Sequence, residues 1–206
     1  MTRLFAVSAA AIVAAMLGGL GYMMLSGPDD QFAACRSTQV AGGLEIGGPF
    51  TLVNSQGMTV TQDEVLTEPS IIYFGYTFCP DVCPFDAARN AEAVELLDER
   101  GISATPVFIS VDPERDTPEV VDIFAANMHE KMIGLTGSPE QVRAASQAYR
   151  TYYRKADESD PDYYTVDHST FSYLHLPGHG TVEIFNRDTT ADQMAESAAC
   201  FVGAAG

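Results

Sequence analysis

Cys79 and Cys83, separated by three residues, are the side chains best placed for chemistry in this sequence. They follow an apolar run, residues 71–74, that has the length and composition of a buried strand. Helical periodicity begins after them, and thiols at positions i and i+4 lie on the same side of one helical turn. Unpaired N–H groups at the start of a helix favour the thiolate, which is both the nucleophile and the metal-binding form.

Three roles are compatible with this cysteine pair. A structural disulfide is one, although a pair at a strand-to-helix junction is poorly placed to join distant parts of the chain. Thiol–disulfide exchange is the second, but thioredoxin-type motifs usually have two residues between the cysteines rather than three. A metal site is the third, because soft thiolates select Cu(I), Zn(II) or iron–sulfur clusters. Two cysteines are too few for a cluster, so at least one further ligand must come from elsewhere in the chain.

The histidines are the candidate third ligands, and their positions separate them. His129 lies near the end of a predicted helix, where an imidazolium suits the helix dipole. His179 lies at the tip of a predicted turn, and His175 lies on a predicted strand close to it. His168 is predicted to lie in a loop between two strands, followed by two hydroxyl side chains. From the residues alone, His168 is the leading candidate and His175 is the alternative.

Three ordered stretches of the chain resemble one known family. Residues 73–84 read YFGYTFCPDVCP, residues 111–118 read VDPERDTP, and residues 166–169 read VDHS. Together they resemble the Sco/SenC family of copper-binding, thioredoxin-like assembly factors for cytochrome c oxidase. The resemblance extends over residues 44–186. Phe78 departs from the pattern, because relatives often carry a histidine at that position.

The resemblance implies a copper site formed by Cys79, Cys83 and His168, which would hold Cu(I), Cu(II) or both. It also implies a membrane-anchored copper chaperone that helps to assemble the dinuclear copper centre of cytochrome c oxidase subunit II. A thiol reductant or a copper donor protein would be a further partner. One alternative is a thiol–disulfide oxidoreductase that reduces the subunit II cysteines through catalytic Cys79 and Cys83. The other is a copper or redox sensor.

Charged residues of the two later motifs each have two interpretations. Asp167 either orients the His168 imidazole, as carboxylates often do beside a metal ligand, or caps a turn. Asp112, Arg115 and Asp116 are expected to tie the second central strand to its helix. Docking of a partner protein is the alternative for these three residues.

The charge of the chain is concentrated in its larger, C-terminal part. The 206 residues carry a formal net charge of −17. In residues 1–40 two arginines and two aspartates cancel, so the whole −17 falls on residues 41–206. Nucleic acid and anionic lipid would repel such an acidic domain, so no nucleic-acid partner is expected.

An uncharged apolar segment predicts an N-terminal membrane anchor over residues 1–27. Residues 4–26 contain no charged side chain, and a helix of that length spans about 30 Å of hydrocarbon. Arg3 precedes the segment and two aspartates follow it, so the N-terminus is predicted to be cytoplasmic and the domain periplasmic. A single-pass protein of the inner membrane is therefore expected, with a cleaved signal peptide as the alternative.

Cys35 and Cys200 lie on either side of the predicted folded region. A disulfide between them would close the ends of the domain, and the sequence leaves this open. Cys35 follows two alanines, as in a lipoprotein cleavage site, so lipid attachment and an unpaired thiol are the alternatives. Thiols tend to oxidise outside the cytoplasmic membrane, so Cys79 and Cys83 would need a reducing partner before they bind copper.

The remaining pattern predicts a thioredoxin-like three-layer α/β fold with an N-terminal β-hairpin and an inserted hairpin. Residues 28–43 are the predicted linker, and residues 44–206 are the predicted copper-binding domain. Strands are expected at residues 50–53, 58–60, 71–74, 105–111, 132–135, 163–166, 171–176 and 182–185. Helices are expected over residues 84–100, from residue 118, over residues 139–152 and over residues 190–202.

Overall fold

The computed structural model of the protein describes residues 15–19, 30–36, 46–156 and 163–206. The chain divides into two compact units, Met1–Ala33 and Ala34–Gly206. In the first unit residues 15–19 are helical, and the rest of the predicted anchor lies outside the described residues. Among the residues that are described, no helix is both long enough and apolar enough to cross a bilayer.

The second unit alternates strands and helices in the order expected of a thioredoxin-like fold. Its described elements are β1 (Thr51–Val53), β2 (Thr59–Thr61), α1 (Gln62–Val65), β3 (Ser70–Gly75), α2 (Val82–Asp98), β4 (Thr105–Ser110), α3 (Pro118–Met128), β5 (Ile133–Leu135), α4 (Pro139–Ala148), β6 (Tyr153–Lys155), β7 (Val166–His168), β8 (Ser172–Leu176), β9 (Gly180–Phe185) and α5 (Ala191–Ala205).

A mixed five-stranded sheet, in the order β5-β4-β3-β8-β9, forms the centre of this unit. Strand β3 pairs in parallel with β4 and antiparallel with β8, so it occupies the middle of the sheet. Every residue of β3 and of β4 is buried. Because successive side chains of a strand point to opposite faces, both faces of the sheet must be covered. The predicted three-layer α/β arrangement is confirmed in this part of the chain.

Local signals at helix starts are confirmed where they were read from the sequence. Thr117 is the N-cap of α3, and its side chain accepts a hydrogen bond from the Val120 N–H. Ser138 caps α4 in a complete capping box. In both helices a proline follows the cap, where its missing N–H costs nothing. These starts are set by neighbouring residues and need no tertiary contact.

The predicted extent of α4 is wrong at its C-terminal end. The helix stops at Ala148 rather than continuing to residue 152. Arg150 has a φ of 52°, in the left-handed region, and the Thr151 N–H donates to the Ser146 carbonyl across the turn. The chain then enters β6, a strand that was not predicted because its three residues include the charged Arg154 and Lys155.

Strands β6 and β7 form the inserted hairpin, which pairs with itself outside the central sheet. A strand was expected at residues 163–166, but β7 begins only at Val166. His168 is therefore the last residue of a strand rather than part of a loop, and it pairs with Tyr153 of β6. The short partner strand fixes the direction of the His168 side chain.

A disulfide joins Cys35 to Cys200 on α5, with their Cα atoms 5.6 Å apart. The two residues are 165 positions apart in the chain. This settles the choice that the sequence left open, because a sulfur in a disulfide cannot carry a lipid. The bond connects the first described residues of the second unit to its final helix.

Candidate metal centre

The two free cysteines lie at the junction between β3 and α2. Cys83 is in the first turn of α2 and is completely buried, whereas Cys79 retains 8% exposure. The prediction that both thiols occupy one helical turn is wrong, because Cys79 precedes the first helical residue, Val82. The expected contact with helix N–H groups is nevertheless present, since the Cys83 N–H donates to the Cys79 sulfur over 3.4 Å.

His168 brings an imidazole nitrogen to the cysteine pair from the inserted hairpin. Its Nε2 atom is 3.2 Å from the Cys83 sulfur. The two sulfurs and one ring nitrogen all lie within 4.8 Å of one another. This convergence of Cys79, Cys83 and His168, named the Cys2His cluster below, is the arrangement that the resemblance implied.

The hydrogen bond of the other ring nitrogen fixes the tautomer of His168. Nδ1 lies 2.8 Å from the Ser169 carbonyl oxygen. Because a carbonyl only accepts, Nδ1 must carry the proton and Nε2 presents its lone pair to the sulfurs. Burial lowers the pKa of His168, although the Ser169 carbonyl opposes that effect, so the ring is neutral near pH 7 and suited to bind a metal ion.

The two thiols differ in acidity. Burial tends to raise the pKa of Cys79, but N–H groups of Cys83, Asp81 and Val82 and the Cys83 thiol outweigh it, so the pKa is lowered. Burial raises the pKa of Cys83, and the neighbouring Cys79 thiolate raises it further. Cys79 is therefore the more acidic thiol of the metal-free pair, and Cys83 is the less acidic thiol, whose sulfur faces His168 Nε2.

Tyrosine rings pack around the imidazole on its buried side. Tyr76 meets the His168 ring edge-on at 5.7 Å between centroids, and Tyr73 does so at 6.1 Å. Burial raises the pKa of Tyr76 to about 12, so its hydroxyl stays neutral. These rings restrict the imidazole to one orientation without adding charge to the cluster.

Gly75 leaves the space that the Cys83 sulfur occupies. A Cβ atom on Gly75 would lie 2.8 Å from Tyr73 Cε1, 3.0 Å from Phe108 Cε2 and 3.1 Å from the Cys83 sulfur. The first of these contacts is closer than real Cβ atoms approach, so only glycine fits without displacement. The glycine at the end of β3 therefore allows Cys83 of α2 to pack directly against this strand.

Asp116 holds the loop that leads to Cys79. Its carboxylate accepts hydrogen bonds from the Thr77 N–H at 2.9 Å and from the Thr77 hydroxyl at 2.6 Å. Ser110, at the end of β4, donates to the same carboxylate at 2.5 Å. This confirms that the second motif ties β4 to its helix, and it adds a link to the cysteine loop.

Other candidates named from the sequence lie outside the cluster. Asp167 forms an exposed ion pair with Arg154, and the Nδ1 hydrogen bond of His168 goes to Ser169 instead. His129 caps α3, and its Nδ1 accepts from the Lys131 N–H. His175 is buried within β8, and no second group of potential ligands is found in the part of the chain that the structure describes.

Asp86 is a buried residue behind the cluster that the sequence did not reveal. It is 2% exposed, accepts a hydrogen bond from the Tyr73 hydroxyl at 3.1 Å and pairs with Arg89 at 3.3 Å. Burial raises its pKa, and Arg89 opposes that shift. The sequence signal for Asp86 was its position three residues after Cys83, because residues with this spacing lie on the same side of a helix.

The comparisons with known proteins agree with the motifs. The family model described as SCO1/SenC matches residues 38–203. The chain belongs to the SCO1/SenC family. Protein SenC of Rhodobacter capsulatus, a family member, is 53% identical over 175 residues, which are 85% of this chain and 79% of that protein.

Solved structures of SCO1/SenC relatives share the fold. The crystal structure of Arabidopsis thaliana ScoI with copper bound has a TM-score of 0.72 and 40% identity, covering 77% of this chain and 99% of that one. BsSco, a member of the Sco family of cytochrome c oxidase assembly proteins with a disulfide switch, has a TM-score of 0.58 and 25% identity. That comparison covers 77% of this chain and 94% of BsSco.

Proposed function

We propose that this protein binds copper through Cys79, Cys83 and His168 and delivers it during assembly of cytochrome c oxidase. The observation that carries the proposal is the convergence of two sulfurs and one imidazole nitrogen within 4.8 Å. Two soft thiolates and one neutral imidazole form a donor set that favours Cu(I) and also accepts Cu(II). The copper-bound Arabidopsis relative supports the same assignment.

Copper binding would displace the proton of the Cys83 thiol, whose pKa is raised. In the metal-free pair the Cys83 thiol faces His168 Nε2, so a copper ion that takes up the sulfur also releases the nitrogen from this contact. Three protein ligands leave copper open to a fourth donor, such as a thiolate of an acceptor protein. The acceptor that we propose is the dinuclear copper centre of cytochrome c oxidase subunit II.

Thiol–disulfide exchange is a second candidate function, and the unequal acidity of the thiols favours it. Cys79 has a lowered pKa and remains slightly exposed, as an attacking thiolate should be. Cys83 is fully buried with a raised pKa, as suits the thiol that closes the disulfide. Reduction of a subunit II disulfide by this pair would leave Cys79 and Cys83 joined as a disulfide, so a thiol reductant would have to restore both thiols before the pair could carry copper.

Replacement of His168 separates the two functions. His168→Ala removes the nitrogen ligand, so Cu(I) affinity should fall by more than the roughly 10–100-fold that follows loss of a residue orienting a metal ligand. Competition with a Cu(I) chelator measures the affinity of the reduced protein. Disulfide exchange should be nearly unchanged, because both sulfurs remain.

The control for this experiment is His179→Ala, on the turn between β8 and β9 and outside the cluster. It should bind copper as the parent does. Equal Cu(I) affinity of His168→Ala and the parent would remove the copper-delivery assignment and leave a redox protein. Copper uptake by protein whose Cys79 and Cys83 are oxidised to a disulfide would also contradict these ligands.

The location proposed for this function is the outer face of the inner membrane. The apolar segment over residues 1–27 would anchor the chain, with its N-terminus in the cytoplasm and the domain in the periplasm. Alkaline phosphatase fused after Gly206 should then be active in a bacterial host. An inactive fusion would contradict the orientation.

A further inference from the structure

Arg115 contacts three separate parts of the chain around the Cys2His cluster. Its Nε donates to the Asp112 carboxylate at 2.6 Å, within the loop that follows β4. Its Nη1 donates to the Tyr164 carbonyl at 2.9 Å, two residues before the first residue of β7. Its guanidinium carbon lies 5.1 Å from the centroid of the Phe78 ring, which immediately precedes Cys79.

Tyr164 completes a closed set of contacts with this arginine. The guanidinium stacks on the Tyr164 ring at 3.6 Å from its centroid. The Tyr164 hydroxyl donates to the other oxygen of Asp112 at 2.6 Å, and Tyr164 is 5% exposed. Arg115 Nη2 is buried and finds no hydrogen-bond acceptor among the described residues, so aromatic faces are the electron-rich groups left to it.

The inserted hairpin depends on such side-chain contacts for its position. Where the structure describes it, its backbone pairs within itself and not with the central sheet. Arg154 and Asp167 in the hairpin form an exposed pair, and exposed pairs contribute little free energy. Arg115, by contrast, is held by a buried carboxylate at one end and binds the hairpin backbone at the other.

We infer that Arg115 is a positioning residue that holds the inserted hairpin so that His168 Nε2 stays within bonding reach of Cys79 and Cys83. The inference rests on the proposed copper function. The contacts of Arg115 described above do not include Cys79, Cys83 or His168, so it acts through Tyr164 and the strand that follows. The planar guanidinium group is required for this role, because it makes two directed hydrogen bonds and stacks on the Tyr164 ring at the same time.

Arg115→Met and Arg115→Lys test the inference, with Arg154→Met as the matched control on the same hairpin. Methionine keeps length and loses both hydrogen bonds, so Cu(I) affinity of the reduced protein should fall roughly 10–100-fold. Lysine keeps the charge over Tyr164 and loses the fork, so an intermediate loss is expected. Arg154→Met should stay within about twofold of the parent, because its ion pair is exposed.

A double-variant cycle with His168→Ala distinguishes positioning from general damage. If Arg115 acts through His168, then Arg115→Met in the His168→Ala background should change Cu(I) affinity by less than about twofold. An equal loss in both backgrounds would overturn the inference, since Arg115 would then act on the thiols or on the fold. No loss in either Arg115 variant would overturn it as well.

A copper-free measurement keeps this inference distinct from the proposed function. Nuclear Overhauser contacts between the His168 and Tyr76 rings should be present in the reduced parent and in Arg154→Met. They should be lost in Arg115→Met and weakened in Arg115→Lys.

Intact ring contacts in both Arg115 variants would refute the inference whatever the copper data. If the ring contacts are lost in the Arg115 variants but His168→Ala binds Cu(I) as tightly as the parent, the proposed copper function is refuted and the inference about Arg115 stands. If Arg115→Met does not fold, the lysine variant decides.

Discussion

The surroundings of the two thiols in the Cys2His cluster give them different acidity although only three residues separate them. Cys79 lies just before α2, where several N–H groups reach its sulfur. Cys83 lies inside the helix against β3, where no exposed surface remains. The same motif therefore supplies one thiol of lowered pKa and one of raised pKa, and the second would have to lose its proton to bind copper.

The acidity difference predicts how the thiols react with iodoacetamide in reduced, copper-free protein. Alkylation needs the thiolate, so the Cys79 rate should rise with pH and level off above a pKa below the ordinary 9.0. Cys83 should stay unmodified over the same range, because its pKa is raised and its side chain is buried. Mass spectrometry of timed samples between pH 5 and 10 measures both rates.

Single-cysteine variants serve as controls for the alkylation experiment. Cys79→Ser should leave almost no reaction near neutral pH, since only the buried thiol remains. Two thiols that react equally, or a Cys83 that reacts first, would contradict the assignment of Cys79 as the more acidic thiol.

At the scale of the elements, the end of β3 packs closely against α2 because Gly75 has no side chain. Gly75→Ala should destabilise the protein by about 1–3 kcal/mol, the usual cost of overpacking a core, because the added methyl group meets Tyr73 and Phe108. It should also weaken Cu(I) binding, since the methyl group displaces the Cys83 sulfur. Urea unfolding measures the free energy, and chelator competition measures the copper affinity.

Gly203→Ala is the matched comparison for Gly75→Ala. Gly203 lies in α5, and a Cβ atom there meets nothing within 4 Å. This substitution should raise the free energy of unfolding by about 0.5–1 kcal/mol through helix propensity alone. A Gly75→Ala variant as stable as Gly203→Ala would show that the end of β3 has room to move.

The elements also show what the sequence can and cannot predict. The starts of α3 and α4 were predictable, because Thr117 and Ser138 each accept a hydrogen bond from the N–H three residues later. Strand β6 was not, because its polar residues are extended only by pairing with β7. The convergence of His168 on the cysteines followed from the family motif, and Arg115 was recognised as a tie within its own loop but not as a contact of the hairpin.

At the scale of the whole molecule, the Cys35–Cys200 disulfide should contribute to stability and leave the copper site unaffected. It closes a loop with a sequence separation of 165, and removing a native disulfide typically costs about 2–5 kcal/mol. The double variant Cys35→Ser/Cys200→Ser should therefore unfold at lower urea concentration. Its Cu(I) affinity should remain within about twofold of the parent, because neither cysteine belongs to the Cys2His cluster.

Folding of the double variant is followed by circular dichroism, and its copper affinity by the same chelator competition. A variant as stable as the parent would mean that the unfolded chain gains little freedom when the bond is absent. A large loss of copper affinity with the fold intact would contradict the independence of the two cysteine pairs.

The bridge to α5 also sets where mechanical force enters the domain. Tension between the chain ahead of Cys35 and the chain after Cys200 would pass through the sulfur–sulfur bond, so the covalent path that bears it leaves out residues 36–199. The hairpin that holds His168 and the turn that holds Cys79 lie inside this covalently shielded loop. Stretching the two ends of the chain would thus load the bridge rather than the segments that carry the donor atoms.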